Sequence, residues 1–128
     1  MSYTGRPGAH ARVLIIDDNP DSADSLRLLL DLLGYDARAA YTGLEGVSAA
    51  LEFAPDFVLC DIGLPGLNGY EVAAMLRHNP VTTRARLIAV SAYGSEEAQA
   101  RSREAGFEHI LVKPANLDVL LRLLSEGR

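Results

Sequence analysis

The chain has 128 residues, 48% of them hydrophobic, with a formal charge of −5 and one cysteine. That is the material of one domain with one core, without a basic stripe to track a phosphate backbone, a run to span a bilayer, or an internal disulfide. Direct nucleic-acid and membrane partners are therefore not expected, and a lone thiol fits a reducing, cytoplasmic setting.

Residues 1–11 carry Gly5, Pro7 and Gly8 with little apolar content and read as a flexible leader ahead of a domain over 12–126. They lack the apolar centre of a signal peptide. Arg12-Val13-Leu14-Ile15-Ile16 is a short β-branched run that ends on Asp17 and Asp18, the pattern of a strand. Asn19 caps a helix with Pro20 at its first position, and Leu26, Leu29, Leu30 and Leu33 recur at helical spacing until Gly34 stops it. Residues 35–40 form a weaker strand, and Leu44, Val47 and Leu51 mark a helix that ends before Pro55.

Phe57-Val58-Leu59-Cys60-Asp61 is an apolar run that closes on a carboxylate and is followed by the glycine- and proline-rich loop 62–69. It reads as a strand buried on both faces, with Cys60 a small core residue. A helix over about 70–78 follows, with Val72, Met75 and Leu76 as its apolar positions. Leu87-Ile88-Ala89-Val90 is a fourth strand that ends on Ser91, and Ser95 caps a polar helix through Ala105 that Gly106 terminates. Residues 109–112 make a fifth strand that ends on Lys113-Pro114. Asn116 caps a last helix with Leu117, Leu120, Leu121 and Leu124 as its stripe. Strand and helix alternate five times, which implies an α/β three-layer sandwich: a parallel sheet with helices on both faces.

In a parallel sheet all carboxyl ends lie along one edge, so Asp17, Asp18, Asp61, Ser91 and Lys113 share one crevice. A polar residue at one strand end needs no explanation beyond a wet loop, but four aligned ends do. Three carboxylates at close range repel unless a cation lies among them. A hard divalent ion such as Mg2+ takes one or two carboxylates and keeps positions for water and phosphate oxygens. Asp17 and Asp18 also complement the dipole of the helix they precede, which explains neither Asp61 nor Lys113. Lys113 is the one lysine among twelve basic residues, and the exposed helix faces use Arg27, Arg77, Arg101, Arg103 and Arg122 instead. Its point charge and the Ser91 hydroxyl suit the outer oxygens of a phosphoryl group. Asp61, alone at its strand end, is the candidate nucleophile toward phosphorus.

These residues resemble the receiver domain of bacterial two-component response regulators. The resemblance rests on Ile16-Asp17-Asp18-Asn19, Asp61-Ile62-Gly63-Leu64-Pro65-Gly66-Leu67-Asn68-Gly69-Tyr70-Glu71, Ser91-Ala92 and Val112-Lys113-Pro114, over roughly residues 12–124. It implies the flavodoxin-like (βα)5 fold, strand order 2-1-3-4-5, with the site at the switch point between the first and third strands. It also implies that Asp61 is the phosphoacceptor for a phosphohistidine on a sensor histidine kinase or histidine phosphotransfer protein, in a Mg2+-dependent reaction. Asp18 then ligates the ion directly, Asp17 acts mainly through metal-bound water, and Gly63 offers its backbone carbonyl beside Asp61. Lys113 contacts the phosphoryl group, with a cis bond to Pro114; Ser91 swings toward a phosphoryl oxygen, and Ala92 leaves access. The implied output runs through the face of the fourth helix, fifth strand and fifth helix, in a monomer or a weak phosphorylation-dependent dimer.

One position departs from the family pattern. Three residues before the lysine, where the family commonly carries a tyrosine or phenylalanine that reports phosphorylation, stands Ile110, and strand alternation turns His109 to the opposite face. The expectation is retained phosphorylation with a readout that is smaller or wired through Tyr93 and the helix after it. Two other functions compete. A Mg2+-dependent phosphatase or phosphotransferase would use an aspartyl-phosphate, but Gly63 stands where such enzymes place a second acid. A pseudo-receiver would bind partners without phosphorylation, and Ile110 leaves that open. The chain ends soon after the fifth helix, so a single-domain receiver, or one excised from a hybrid histidine kinase, acts by contact or as a phosphate relay. His10 and His78 have no second ligand at metal spacing and are expected at the surface. Gly63, Gly66 and Gly69 make no Walker loop, since no lysine follows them.

Overall fold

The structure is a computed structural model that describes residues 11–126, so the leader expected over 1–11, and His10 with it, lies outside the described residues except for Ala11. Ala11 is half-buried, and its carbonyl accepts the Asp36 N–H. The elements run β1 (Arg12–Ile16), α1 (Pro20–Leu32), β2 (Asp36–Ala40), α2 (Gly43–Phe53), β3 (Phe57–Asp61), α3 (Gly69–Arg77), β4 (Arg86–Ser91), α4 (Glu96–Ala105), β5 (Phe107–Val112) and α5 (Leu117–Glu126). All strand pairs are parallel and the sheet order is β2-β1-β3-β4-β5, the flavodoxin-like arrangement.

Side-chain alternation divides the core between the two faces of the sheet. Leu14, Ile16, Val58, Cys60, Leu87 and Ala89 pack under α2 and α3 with Phe53, Val72 and Leu76. Val13, Ile15, Phe57, Leu59 and Ile88 pack under α1 and α5 with Leu30, Leu120 and Leu124. Every residue of β3 is buried, which is why its sequence is a continuous apolar run rather than an alternating one.

Each helix begins at the sheet edge where the strands end, and side-chain oxygens organise those starts. Asn19, Thr42, Ser95 and Asn116 accept the N–H groups of Ser22, Glu45, Ala98 and Val119, and Asn68 with Glu71 forms a reciprocal capping box. The positive helix ends therefore converge on the edge that carries the acids.

The structure departs from the sequence reading in five places. Tyr35 lies before β2 and donates its N–H to the Leu30 carbonyl. α3 starts at Gly69 and β4 at Arg86, one residue ahead of each expectation. β5 starts at Phe107 rather than His109, because a register shift at Glu108 separates the Leu87–Phe107 pair from the Ile88–His109 pair. That extra residue keeps Phe107 and Ile110 on one face. Finally, Arg77 is no solvating cation: its guanidinium donates to the carbonyls of Thr83, Ala85 and Gly106 at 2.7, 2.8 and 2.9 Å. His78 is exposed, as expected.

Candidate functional site

Asp61 closes β3 with 8% of its surface exposed. Its Oδ1 accepts the Gly63 N–H at 2.9 Å, and its Oδ2 accepts from Lys113 Nζ at 2.9 Å. Lys113 follows β5, and its backbone N–H donates to the Ser91 carbonyl at 2.7 Å, so the ends of β4 and β5 are locked side by side. Its ammonium also lies 3.8 Å from Asp17 Oδ2. Burial works to lower the Lys113 pKa, but the hydrogen bond and charge of Asp61, with the charges of Asp17 and Asp18, outweigh it and hold the ammonium above its ordinary range. The lysine is thus a fixed cation within the acid group. The Lys113-Pro114 bond is cis.

Asp17 leaves β1 with its N–H on the Ala40 carbonyl, and its Oδ1 accepts the Asn19 N–H at 2.9 Å. Asp18, beside it, is exposed. Asp17, Asp18 and Asp61 each present a carboxylate oxygen, and these oxygens lie within 4.8 Å of one another. Hard oxygen donors this close, two of them on a sharp strand-to-helix turn, fit a small divalent cation such as Mg2+.

Ser91 is buried at the end of β4, and its Oγ accepts the Tyr93 N–H at 3.0 Å. The hydroxyl oxygen is therefore engaged with its own loop in this conformation. Ala92 and Tyr93 are both exposed. Ile110 is half-buried and packs against the α2–α3 side of the core. Cys60 is free and buried; burial, reinforced by the charges of Asp61 and Asp17, pushes its thiol pKa far up, so it is an inert core residue.

Two features of the site were not legible in the sequence. Gly69 sits against the backbone of the acid itself: a Cβ there would lie 2.7 Å from both the Asp61 carbonyl oxygen and the Ile62 Cα. In the sequence Gly69 is a breaker at the edge of a loop, a signal that does not reveal this close approach without the fold. Beside Asp61 and Lys113 a largely apolar cavity of about 470 Å3 opens between α1 and α5, lined by Leu26, Leu59, Leu111 and Leu120.

Comparison with known proteins agrees with this geometry. Residues 13–125 match the family described as the response regulator receiver domain. The chain is 30% identical over 110 residues to RpaA of Synechocystis, a DNA-binding dual master transcriptional regulator, covering 86% of this chain and 46% of RpaA. It is 32% identical over 115 residues to the protein PilH of Pseudomonas aeruginosa, covering 90% of this chain and 95% of PilH. It thus spans under half of one relative and nearly all of the other. Among solved structures, the chemotaxis protein CheY4 of Vibrio cholerae superposes with a TM-score of 0.87 at 25% identity, covering 94% of this chain and all of that one. The receiver domain of the sensor histidine kinase PA1611 from Pseudomonas aeruginosa, with a magnesium ion coordinated in its active site cleft, gives 0.83 at 28% identity, covering 93% of this chain and 98% of that one. With the family match spanning the strands, the acid cluster and the lysine, this chain belongs to the response regulator receiver domain family.

Proposed function

We propose that this receiver takes a phosphoryl group onto Asp61 from a phosphohistidine of a sensor histidine kinase or histidine phosphotransfer protein. The observation that carries the reading is the meeting of Asp61 with Lys113 at 2.9 Å inside a cluster of three carboxylates on the carboxyl edge of the sheet. Asp17, Asp18 and Asp61, with the Gly63 carbonyl, would hold Mg2+, whose charge neutralises the oxygens of the transferring phosphoryl group. The magnesium ion in the related PA1611 receiver supports that assignment.

The chain's own groups supply the rest of the chemistry. Gly63 N–H and Lys113 fix the rotamer of the Asp61 carboxylate, so the nucleophile is positioned before the donor arrives. A carboxylate oxygen forms the bond to phosphorus as the bond from phosphorus to the donor's imidazole nitrogen breaks. Lys113 meets the charge of the outer oxygens, and Ser91 reaches them only by releasing the Tyr93 N–H. The state of Asp61 is read out on the α4–β5–α5 face, where Gln99, Ser102, Ile110, Val119 and Leu123 border a groove of about 330 Å3. The protein then works as a cytoplasmic signalling module, monomeric or weakly dimeric when phosphorylated. A phosphoester-hydrolysing reading lacks an acid at Gly63.

Intact mass after incubation with Mg2+ and acetyl phosphate tests this. Wild type is expected to gain one base-labile phosphoryl group, Asp61→Asn none, and Lys113→Arg a reduced fraction. A wild type that binds Mg2+ yet gains no mass, and forms no stable beryllofluoride complex, would contradict it.

A further inference from the structure

α4 is weakly anchored. Its sequence, Glu96-Glu97-Ala98-Gln99-Ala100-Arg101-Ser102-Arg103-Glu104-Ala105, buries only Ser102, and the Ser102 hydroxyl has no hydrogen-bond partner. Ile110, half-buried on β5, is aliphatic and packs into the α2–α3 side of the core without an aromatic ring to swing toward α4. Besides the Arg77 bond to the Gly106 carbonyl at its carboxyl end, two contacts tie α4 to its surroundings.

At its amino end, Gln99 Nε2 donates to the Gly94 carbonyl at 3.1 Å, in the loop whose Tyr93 N–H is bound by Ser91. At its middle, the Arg101 guanidinium lies 4.2 Å from the centroid of the Tyr70 ring on α3. Among the described residues Arg101 pairs with no carboxylate, so the ring is the partner that fixes it.

Tyr70 is directly wired to the acid site. It follows Gly69, whose N–H donates to the Ile62 carbonyl at 3.1 Å and whose Cα lies too close to the Asp61 carbonyl to admit a Cβ. The nine residues from Asp61 to Gly69 are thereby closed into a tight loop, and a shift of the Asp61 backbone has no slack to absorb it before the first turn of α3. Tyr70 itself is packed against the same core layer as Ile62 and Ile110.

We propose that Tyr70 and Arg101 form a clasp between α3 and α4 whose release reports the state of Asp61, the task for which this chain has no aromatic residue at 110. The inference rests on the phosphoacceptor reading of Asp61. Turning of Ser91 frees the amino end of α4 and displacement of the 61–69 loop moves the ring, which leaves the helix anchored by Ser102, Ala105 and the Arg77 bond to the Gly106 carbonyl.

Amide hydrogen exchange over residues 96–105, measured on the protein before and after acetyl phosphate treatment with Mg2+, with intact mass taken on the same samples, tests the clasp. In wild type, phosphorylation is expected to raise exchange in α4 several-fold. Tyr70→Leu and Arg101→Gln should raise it to that level without phosphorylation and leave little further change, while the phosphorylated fraction stays at the wild-type value. Tyr70→Phe, which keeps the ring, should behave as wild type. Wild-type exchange in Tyr70→Leu and Arg101→Gln, before and after treatment, would overturn the clasp while the mass gain upheld the phosphoacceptor reading. No mass gain in wild type would overturn both.

Discussion

Lys113 and Glu108 both belong to the β5 region, and both are held in their charged form by an opposite neighbour. Hydrogen bonds from Arg86, at 2.6 to 3.1 Å, keep the Glu108 carboxyl below its ordinary range. A carboxylate with a depressed folded-state pKa stabilises the fold above its unfolded value, near 4.3, and the contribution is lost as pH falls through the folded value. Both side chains are about one-third exposed, so the stabilisation is screened to under about 1 kcal/mol. Glu108→Gln should therefore be slightly less stable than wild type in urea unfolding at neutral pH, and the difference should vanish once the pH falls below the depressed folded-state value. A gap that persists in acid would assign the effect to packing instead. The residues of the site were legible because their chemistry is distinctive: one lysine, and acids closing apolar runs. The bond from Tyr93 N–H to Ser91 was not, since a serine at a strand end carries no mark of the rotamer it takes.

At the scale of elements, the clamp made by Arg77 ties the end of α3 to the approach to β4 and to the end of α4 at Gly106. One planar guanidinium serves three carbonyls, a geometry that an ammonium cannot copy. Arg77→Ala should lower stability by about 1–3 kcal/mol by leaving those carbonyls without their donor, and Arg77→Lys should recover little of it, as read from urea midpoints. Gly69→Ala should cost about 1–3 kcal/mol as well, because the new methyl group meets backbone on two sides and the loop must move. It should also reduce phosphorylation of Asp61, which a purely local cost would not. Helix starts and the strand sequence followed from capping residues and apolar runs. The bulge in β5 did not, because the pairing with β4 that defines it joins residues about twenty positions apart.

At the scale of the molecule, the parallel order β2-β1-β3-β4-β5 brings residues from four separate strand ends to one place. The alternation of strands and helices in the sequence is enough to predict that edge, since right-handed crossovers leave few alternatives. The cavity between α1 and α5 lay beyond that reasoning, because a void depends on how side chains fill a gap and not on the order of elements. The proposed signalling role requires Asp61 to be the residue that is phosphorylated. Borohydride reduces an acyl phosphate to an alcohol, so a phosphorylated aspartate becomes homoserine and can be located by peptide mass mapping. After acetyl phosphate treatment with Mg2+, homoserine is predicted at position 61 and at no other acid. Conversion at Asp17 or Asp18, or none anywhere, would contradict the account.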